Sequence, residues 1–464
     1  MLSRLVVDNP FTGEPACAVE LAEPDAISKV LDRAGRARHA LSKTTVADRA
    51  ALCERAIAAM ELQRDAIARD ISAMMGKPLA QARNEVAGMA MRARHMISIA
   101  ESCLADVTLP PKEGLERRVA KEPLGTVLDL PAWNYPLLTC VNVLVPAVLA
   151  GNAVVVKHSP RSPLCGEHFA RAFRAANAPE GLVQALHCDH AATEAMVGDP
   201  RVDHVVFTGS VLGGHRIQQA GAGRFLHIGL ELGGNDPAYV APDCDLEPTV
   251  ASLVDGAIYN AGQSCCAVER VYVHRSRYEA FVAQAEPLVR AYVMGDPLDE
   301  KTTLGPIAQP NHVSELEGLV SEAKAKGAGV VVGGRSARID GRGRFFEATL
   351  VRDATAEMRL MQTESFGPIL PVSPVDSDEE ALTRMNRSAL GLTASVWTRD
   401  PERAARMARA LEFGTVYMNR CDAVDPALPW GGVKDSGRGV SLGSMGFDQL
   451  TRPKAIHFKL RAGS

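Results

Sequence analysis

From Leu130 to Val156 the chain carries no charged residue, and this stretch restricts the fold more than any other. About 20 consecutive apolar residues are enough to cross a bilayer as one helix. Here Pro131, Pro136, Pro146 and Gly151 interrupt the run, together with Asn134, Asn142 and Asn152. A single spanning helix is therefore rejected in favour of a buried strand, loop, helix, strand succession. The texture continues on both sides of it. Val127–Leu130, Ala153–Val156, Leu182–Leu186 and His204–Phe207 are short apolar runs separated by helical periodicity, which implies a mostly parallel, doubly wound α/β sheet. A second α/β unit is expected from about Asp236, with strands at Arg270–Val273, Gly329–Val332, Ile369–Val372 and Ala394–Trp397. Residues 24 to 106 read as helix instead, interrupted once at Met74–Pro78.

A chain of 464 residues is too long for one ordinary core, so two or three domains are expected. The net charge of −4 argues against nucleic acid or a membrane surface as partner. Ten cysteines without paired spacing point to reduced thiols. Met1–Pro10 shows no apolar signal core, and the expectation is a soluble cytoplasmic enzyme with no catalytic metal. The basic, alternating segments Leu115–Lys121 and Pro453–Leu460 are expected to be exposed strands, suited to pairing with another subunit or serving as ordinary edges.

Two motifs carry the chemistry. Asn260-Ala-Gly-Gln-Ser-Cys265 follows the helix-like run Val250–Tyr259, and Glu231-Leu-Gly-Gly234 closes the apolar run Phe225–Leu232, read as a buried strand ending at a turn. Cys265 should then lie on or beside a loop over the sheet. A thiol there can attack a carbonyl carbon and hold the product as a thioester, and a nearby carboxylate can deprotonate the water that releases it. A lone cysteine is more often structural; two such motifs in one chain reverse that preference. Phe207-Thr-Gly-Ser-Val-Leu-Gly-Gly214 follows a strand and opens a helix expected over Gly213–Ala220, where phosphate can approach free N–H groups. Its Gly-x4-Gly spacing is by itself a weak signal. Lys157 ends a strand, where open α/β sheets bind ligands. Glu364-Ser-Phe-Gly-Pro368 offers a carboxylate, an aromatic face and a rigid turn, suited to a ribose and a flat ring.

Taken together and in order, Pro131-Ala-Trp-Asn-Tyr-Pro136, Phe207–Ser210, Glu231–Gly234, Gly262–Cys265, Glu364–Pro368 and Pro429-Trp-Gly-Gly-Val-Lys-Asp-Ser-Gly437 resemble the aldehyde dehydrogenase superfamily, from about residue 8 to 460. The resemblance implies oxidation of an aldehyde to a carboxylic acid with NAD or NADP as coenzyme. It also implies a Rossmann-like coenzyme domain (1–106 and 124–233), a catalytic domain (234–440) and a small β oligomerisation arm (107–123 and 441–464) of a homodimer or homotetramer. Cys265 is then the nucleophile, and its backbone N–H joins the Asn134 amide in holding the oxyanion. Glu231 is the base for hydrolysis. Lys157, Pro160, Gly209, Ser210, Leu232, Glu364, Phe366 and Trp133 are the implied coenzyme contacts. Tyr135, Thr139, Asn142, Tyr259, Ser264, Cys266, Val424 and Trp430 are the implied substrate pocket.

The chain departs from the family in three places. A lysine and a glutamate thought to share a proton relay with the base are replaced by Val143 and Ser441, so the Glu231 proton must leave by another route. The coenzyme loop reads Lys157-His-Ser-Pro160, without the glutamate that repels a 2′-phosphate, and is followed by Arg161, which adds positive charge if it turns inward. Arginines that hold a substrate carboxylate in succinate-semialdehyde enzymes are Asn142 and Tyr259 here. That favours a neutral aliphatic or aromatic aldehyde, with succinate semialdehyde as the alternative because the Lys-His-Ser-Pro loop resembles some of those enzymes. A CoA-acylating enzyme is the nearer chemical rival, but such enzymes commonly lack the carboxylate base. A retired, non-catalytic relative would be expected to have lost Cys265, Asn134 or Glu231.

Overall fold

The computed structural model describes residues 3–460. Strands Thr126–Leu130, Ala153–Val156, Val183–Ala185, His204–Thr208 and His227–Glu231 form one parallel sheet, to which Gly437–Arg438 adds an antiparallel edge. The third strand in chain order lies at one side and the fourth and fifth at the other. The order therefore reverses between Thr126–Leu130 and His204–Thr208, and ligands bind beyond the carboxyl ends of strands at such a reversal. The segments Pro131–Tyr135 and Gly209–Ser210 leave the sheet at that point.

The charge-free stretch has the expected succession. Strand Thr126–Leu130 leads through a loop into helix Pro136–Leu149, whose Pro136 sits in the first turn where no N–H is needed, and then into Ala153–Val156. Other boundaries differ. Of Phe225–Leu232 only His227–Glu231 is strand, and Phe225 is fully exposed after the helix that precedes it. That helix runs Val211–Ala220, beginning two residues before the expected start because the Ser210 hydroxyl accepts the Gly213 N–H at 3.1 Å and caps it. The later helix is Leu246–Ile258. The N-terminal helical region breaks three times, giving Pro24–Leu41, Val46–Leu62, Arg64–Met75 and Leu79–Leu104. A Thr45–Asp48 capping box marks the first break.

A second sheet has seven strands in the spatial order Gly329–Val332, Thr349–Arg352, Ile369–Val375, Val268–His274, Asp236–Val240, Thr393–Trp397 and Thr415–Met418. All neighbours are parallel except the first pair. Two apolar cores correspond to the two sheets, and Cys266, Trp430 and Leu442 pack into the first despite their late positions. The basic segments pair with each other: Thr451–Lys459 runs antiparallel to Leu115–Pro123, with Val107–Thr108 beyond it. Among the described residues no helix is long and apolar enough to cross a membrane, and no cluster of His, Cys, Asp or Glu has metal-holding geometry.

Candidate active site

The chain reaches Cys265 through a left-handed turn. Asn260, Ala261 and Gly262 have φ of 54°, 56° and 68°. Non-glycine residues in that region are strained, and such strain gathers at functional sites. A β-carbon on Gly262 would lie 2.0 Å from the Gly367 carbonyl oxygen, so the approach of the two loops requires glycine. The turn is bolted by amides: Asn260 Nδ2 donates to Gln263 O at 3.0 Å and Asn134 O at 3.1 Å, and Ala308 N–H donates to Gln263 Oε1 at 2.9 Å. Cys265 emerges part-exposed onto a cleft, whereas Cys266 is buried and donates its thiol to Asp422 Oδ1 at 3.0 Å. Contact with Cys265, burial and the Asp422 charge raise the Cys266 pKa well above that of a free thiol. Of the two neighbours, only Cys265 is placed as a nucleophile.

Asn134 is fixed through its backbone, leaving its side chain available. The buried Lys77 ammonium donates to Asn134 O at 2.7 Å, pairs with the buried Glu85 carboxylate and lies 3.9 Å over the Tyr135 ring. Glu85 Oε1 accepts the Leu137 N–H at 2.8 Å. The amide of Asn134 has no hydrogen-bond partner among the described residues and lines the same cleft as Cys265. Glu231 ends its strand there too. Ser441 Oγ donates to Glu231 Oε1 at 2.5 Å, and Trp430 N–H and Ser441 N–H exchange hydrogen bonds with each other's carbonyl at 2.7 Å, which aligns the hydroxyl. Burial raises the Glu231 pKa to about 7, against the lowering effect of Ser441, Arg92 and the Trp430 side chain. A carboxylate so poised suits general-base work near neutral pH.

The cleft measures about 810 Å³ and runs from Cys265 to the helix start at Ser210. Lys157, Pro160, Gly209, Ser210, Leu232, Glu364, Phe366 and Trp133 all line it. Among the described residues Lys157 is buried without a carboxylate partner, and burial lowers its pKa, so its ammonium gains from hydroxyl or phosphate acceptors. Glu364 Oε1 accepts the Gly234 N–H at 3.0 Å, while burial and then Glu269 push its carboxyl well up. Glu269 accepts the Ser365 and Phe366 N–H groups at 3.0 Å each, and Phe366, at φ 51°, meets Trp133 edge to face at 5.5 Å. Gly209 serves a packing need besides the expected one: a β-carbon there would sit 2.5 Å from the Phe207 ring. The size, the capped helix N-terminus and the free ammonium fit a dinucleotide. Arg161 turns inward and lines the cleft beside Lys157 and Pro160, but its charge is shared: Nη1 pairs with Asp8, which also pairs with Arg344.

The implied substrate pocket divides. Tyr135, Thr139, Tyr259 and Val424 remain part-exposed. Asn142, Ser264, Cys266 and Trp430 are buried and engaged elsewhere. Ser264 Oγ donates to Asp422 Oδ1 at 3.2 Å beside Cys266, and the Trp430 side chain turns to Glu231. Asn142 Oδ1 accepts from Arg92 Nη1 at 3.1 Å. Arg92 is a cation near this pocket that lies at neither of the two motif positions, Asn142 and Tyr259. It comes from helix Leu79–Leu104 and pairs with no carboxylate among the described residues. Burial opposes its charge, and Cys266, Glu231, Glu85 and Cys265 are the acidic groups around it. Sequence reasoning missed Arg92, Asp422 and Glu269. Ser441 was noticed only as a missing glutamate.

The sequence model described as the aldehyde dehydrogenase family matches residues 3–456. The chain is 35% identical over 451 residues to an aldehyde dehydrogenase of Paenarthrobacter nicotinovorans, covering 97% of this chain and 98% of that one. It is 35% identical over 448 residues to a succinate-semialdehyde dehydrogenase [NADP(+)] of Deinococcus radiodurans, covering 97% and 93%. A crystal structure of an NAD-dependent aldehyde dehydrogenase from Sinorhizobium meliloti superposes with a TM-score of 0.95 at 28% identity, covering 100% of this chain and 92% of that one.

Proposed function

The chain belongs to the aldehyde dehydrogenase family, and from that premise we propose the course of its reaction and its residue roles. Cys265 Sγ attacks the aldehyde carbon. The Asn134 amide and the Cys265 N–H stabilise the oxygen as it gains charge. The bound nicotinamide coenzyme supplies the hydride acceptor, and the substrate is left as a thioester on Cys265. Glu231 then takes a proton from water as the water oxygen bonds to the acyl carbon. The C–S bond breaks, the thiol is regenerated and the acid leaves. The retained carboxylate argues for water rather than CoA as acyl acceptor.

The observation that carries this reading is the opening of Cys265, Asn134 and Glu231 onto one cleft beside a buried lysine that has no carboxylate partner among the described residues. Pro160 places no carboxylate at the loop, so the reading includes use of either NAD+ or NADP+. Arg92 favours a second reading for the substrate, in which the aldehyde carries a carboxylate or another oxygen-rich tail rather than a neutral chain. A homo-oligomer and a cytoplasmic setting complete the proposal. The test is NAD(P)H formation over a panel of aldehydes with each coenzyme, for the wild type, Cys265→Ala and Cys266→Ala. Activity should vanish in the first variant and largely survive in the second. Turnover retained by Cys265→Ala overturns the assignment.

A further inference from the structure

Glu231 opens onto a second, smaller cavity as well as the cleft. In the parallel register His204, Val206 and Thr208 pair with His227, Gly229 and Glu231. Alternate residues of a strand share a face, and His204, Val206, Gly229 and Glu231 all line this cavity, with Ser441 and Asn142. Gly229 has no side chain, which leaves a groove along the sheet between the carboxylate and the imidazole. The cavity is about 20 Å³, room for about one water.

His204 is buried, and among the described residues neither ring nitrogen makes a hydrogen bond of full geometry, although the His227 backbone approaches the ring closely enough to favour its charged form. An imidazole so poorly satisfied in a core is costly unless water serves it. His204 also walls a surface cleft of about 450 Å³, with Arg438, His227 and Gln449. The ring, with Arg438, Gly439 and Gln449, therefore lies between the inner cavity and the surface cleft. The charged and titratable groups around it are His227 on one neighbouring strand, Arg438 on the edge strand and Glu231 across the cavity; on the other neighbouring strand Val127 pairs with His204 and the buried Asp129 pairs with Val206, while helix Gly443–Gln449 presents uncharged Gln449 and helix Pro136–Leu149 uncharged Asn142. Burial lowers the His204 pKa to about 4, so the ring is neutral and has one donor and one acceptor nitrogen.

The chemistry requires an exit. Oxidation of an aldehyde by NAD(P)+ and water gives a carboxylate, NAD(P)H and two protons. One of these reaches Glu231 from the hydrolytic water and must leave before the next cycle. During hydrolysis the acyl group stands on Cys265, and the cleft is the place of the nucleotide. We propose that protons leave Glu231 through the Ser441–Gly229 cavity and across His204 to solvent, the ring accepting at one nitrogen as it releases at the other. This rests on the reading of Glu231 as the hydrolytic base.

Gly229→Ala closes the groove without disturbing the sheet, since a β-carbon there would meet the Val206 methyls at 3.6 Å, an ordinary contact. His204→Phe keeps a ring and removes both nitrogens, while His204→Gln keeps hydrogen-bonding atoms. Decay of the acyl-enzyme is followed by rapid quench, and proton release by a pH indicator in weak buffer. Gly229→Ala and His204→Phe should retain the NAD(P)H burst, slow acyl-enzyme decay at least five-fold and delay proton release. His204→Gln should not restore the rate, since its amide hydrogen-bonds but does not pass a proton, and the solvent isotope effect on decay should rise in His204→Phe as proton departure becomes limiting. Wild-type decay and proton release in both slow-predicted variants overturn the passage. Glu231→Gln is the control: if it lacks a burst followed by slow hydrolysis, the base assignment itself falls, independently of the passage.

Discussion

Ser441→Ala tests the poise of the base. Glu231 has a pKa of about 7, and the Ser441 hydroxyl, 2.5 Å from Oε1, stabilises the ionised form. A hydrogen bond to a charged group contributes roughly 1.5–3 kcal/mol. At about 1.4 kcal/mol per unit, its loss raises the pKa by roughly one to two units. The sign follows from the chemistry: the base works only when ionised, so hydrolysis increases as pH rises through the Glu231 pKa. In Ser441→Ala that limb should move to higher pH. At pH 7 the ionised fraction should fall from about one half to between roughly a tenth and a hundredth, slowing hydrolysis roughly five- to fifty-fold. The assay is acyl-enzyme decay after the NAD(P)H burst, measured from pH 5.5 to 10, with the burst as a check on the unaltered hydride step. A limb that stays near pH 7 refutes the reasoning, as does equal slowing at every pH.

Two further substitutions follow from the site. Arg92→Met should lower kcat/KM for succinate semialdehyde by roughly 30-fold, about 2 kcal/mol, while butyraldehyde changes little; equal effects on both would make Arg92 a structural neighbour of Asn142. Pro160→Glu should shift the ratio of kcat/KM for NADP+ over NAD+ toward NAD+ by about ten-fold, since like charges repel across a partly desolvated gap; an unchanged ratio means that this loop does not read the 2′-phosphate.

What was legible in the sequence was local. Alternation of apolar runs with helical patterns located the five parallel strands of the first sheet and four of the seven strands of the second, because parallel strands buried on two faces read as short apolar runs. It missed Asp236–Val240, Thr349–Arg352 and Thr415–Met418. The proline and asparagine interruptions of Leu130–Val156 gave its strand, loop, helix and strand. Ordered motifs selected Cys265, Asn134 and Glu231, which the fold brings to one cleft. What escaped was contact between distant segments. Arg92 reads as one more solvated helix arginine until Asn142, 50 residues on, is seen to hold it. Arg161 turns inward, and its pairing with Asp8, 153 residues away, was not legible. Ser441 looked like a deletion of function, yet 210 residues separate it from the carboxylate that it touches. Phe225 failed for the opposite reason, since apolarity alone does not bury a turn residue.

The central claim is that Cys265 carries the acyl group and Glu231 releases it. Glu231→Gln, mixed with an oxidisable aldehyde and NAD(P)+, should give one burst of NAD(P)H and then turn over ~10²–10⁴-fold more slowly than wild type. Peptide mass spectrometry of the quenched protein should find the substrate's acyl group on Cys265 and none on Cys266. An acyl group on Cys266, or steady turnover at the wild-type rate with no acyl group on Cys265, contradicts it.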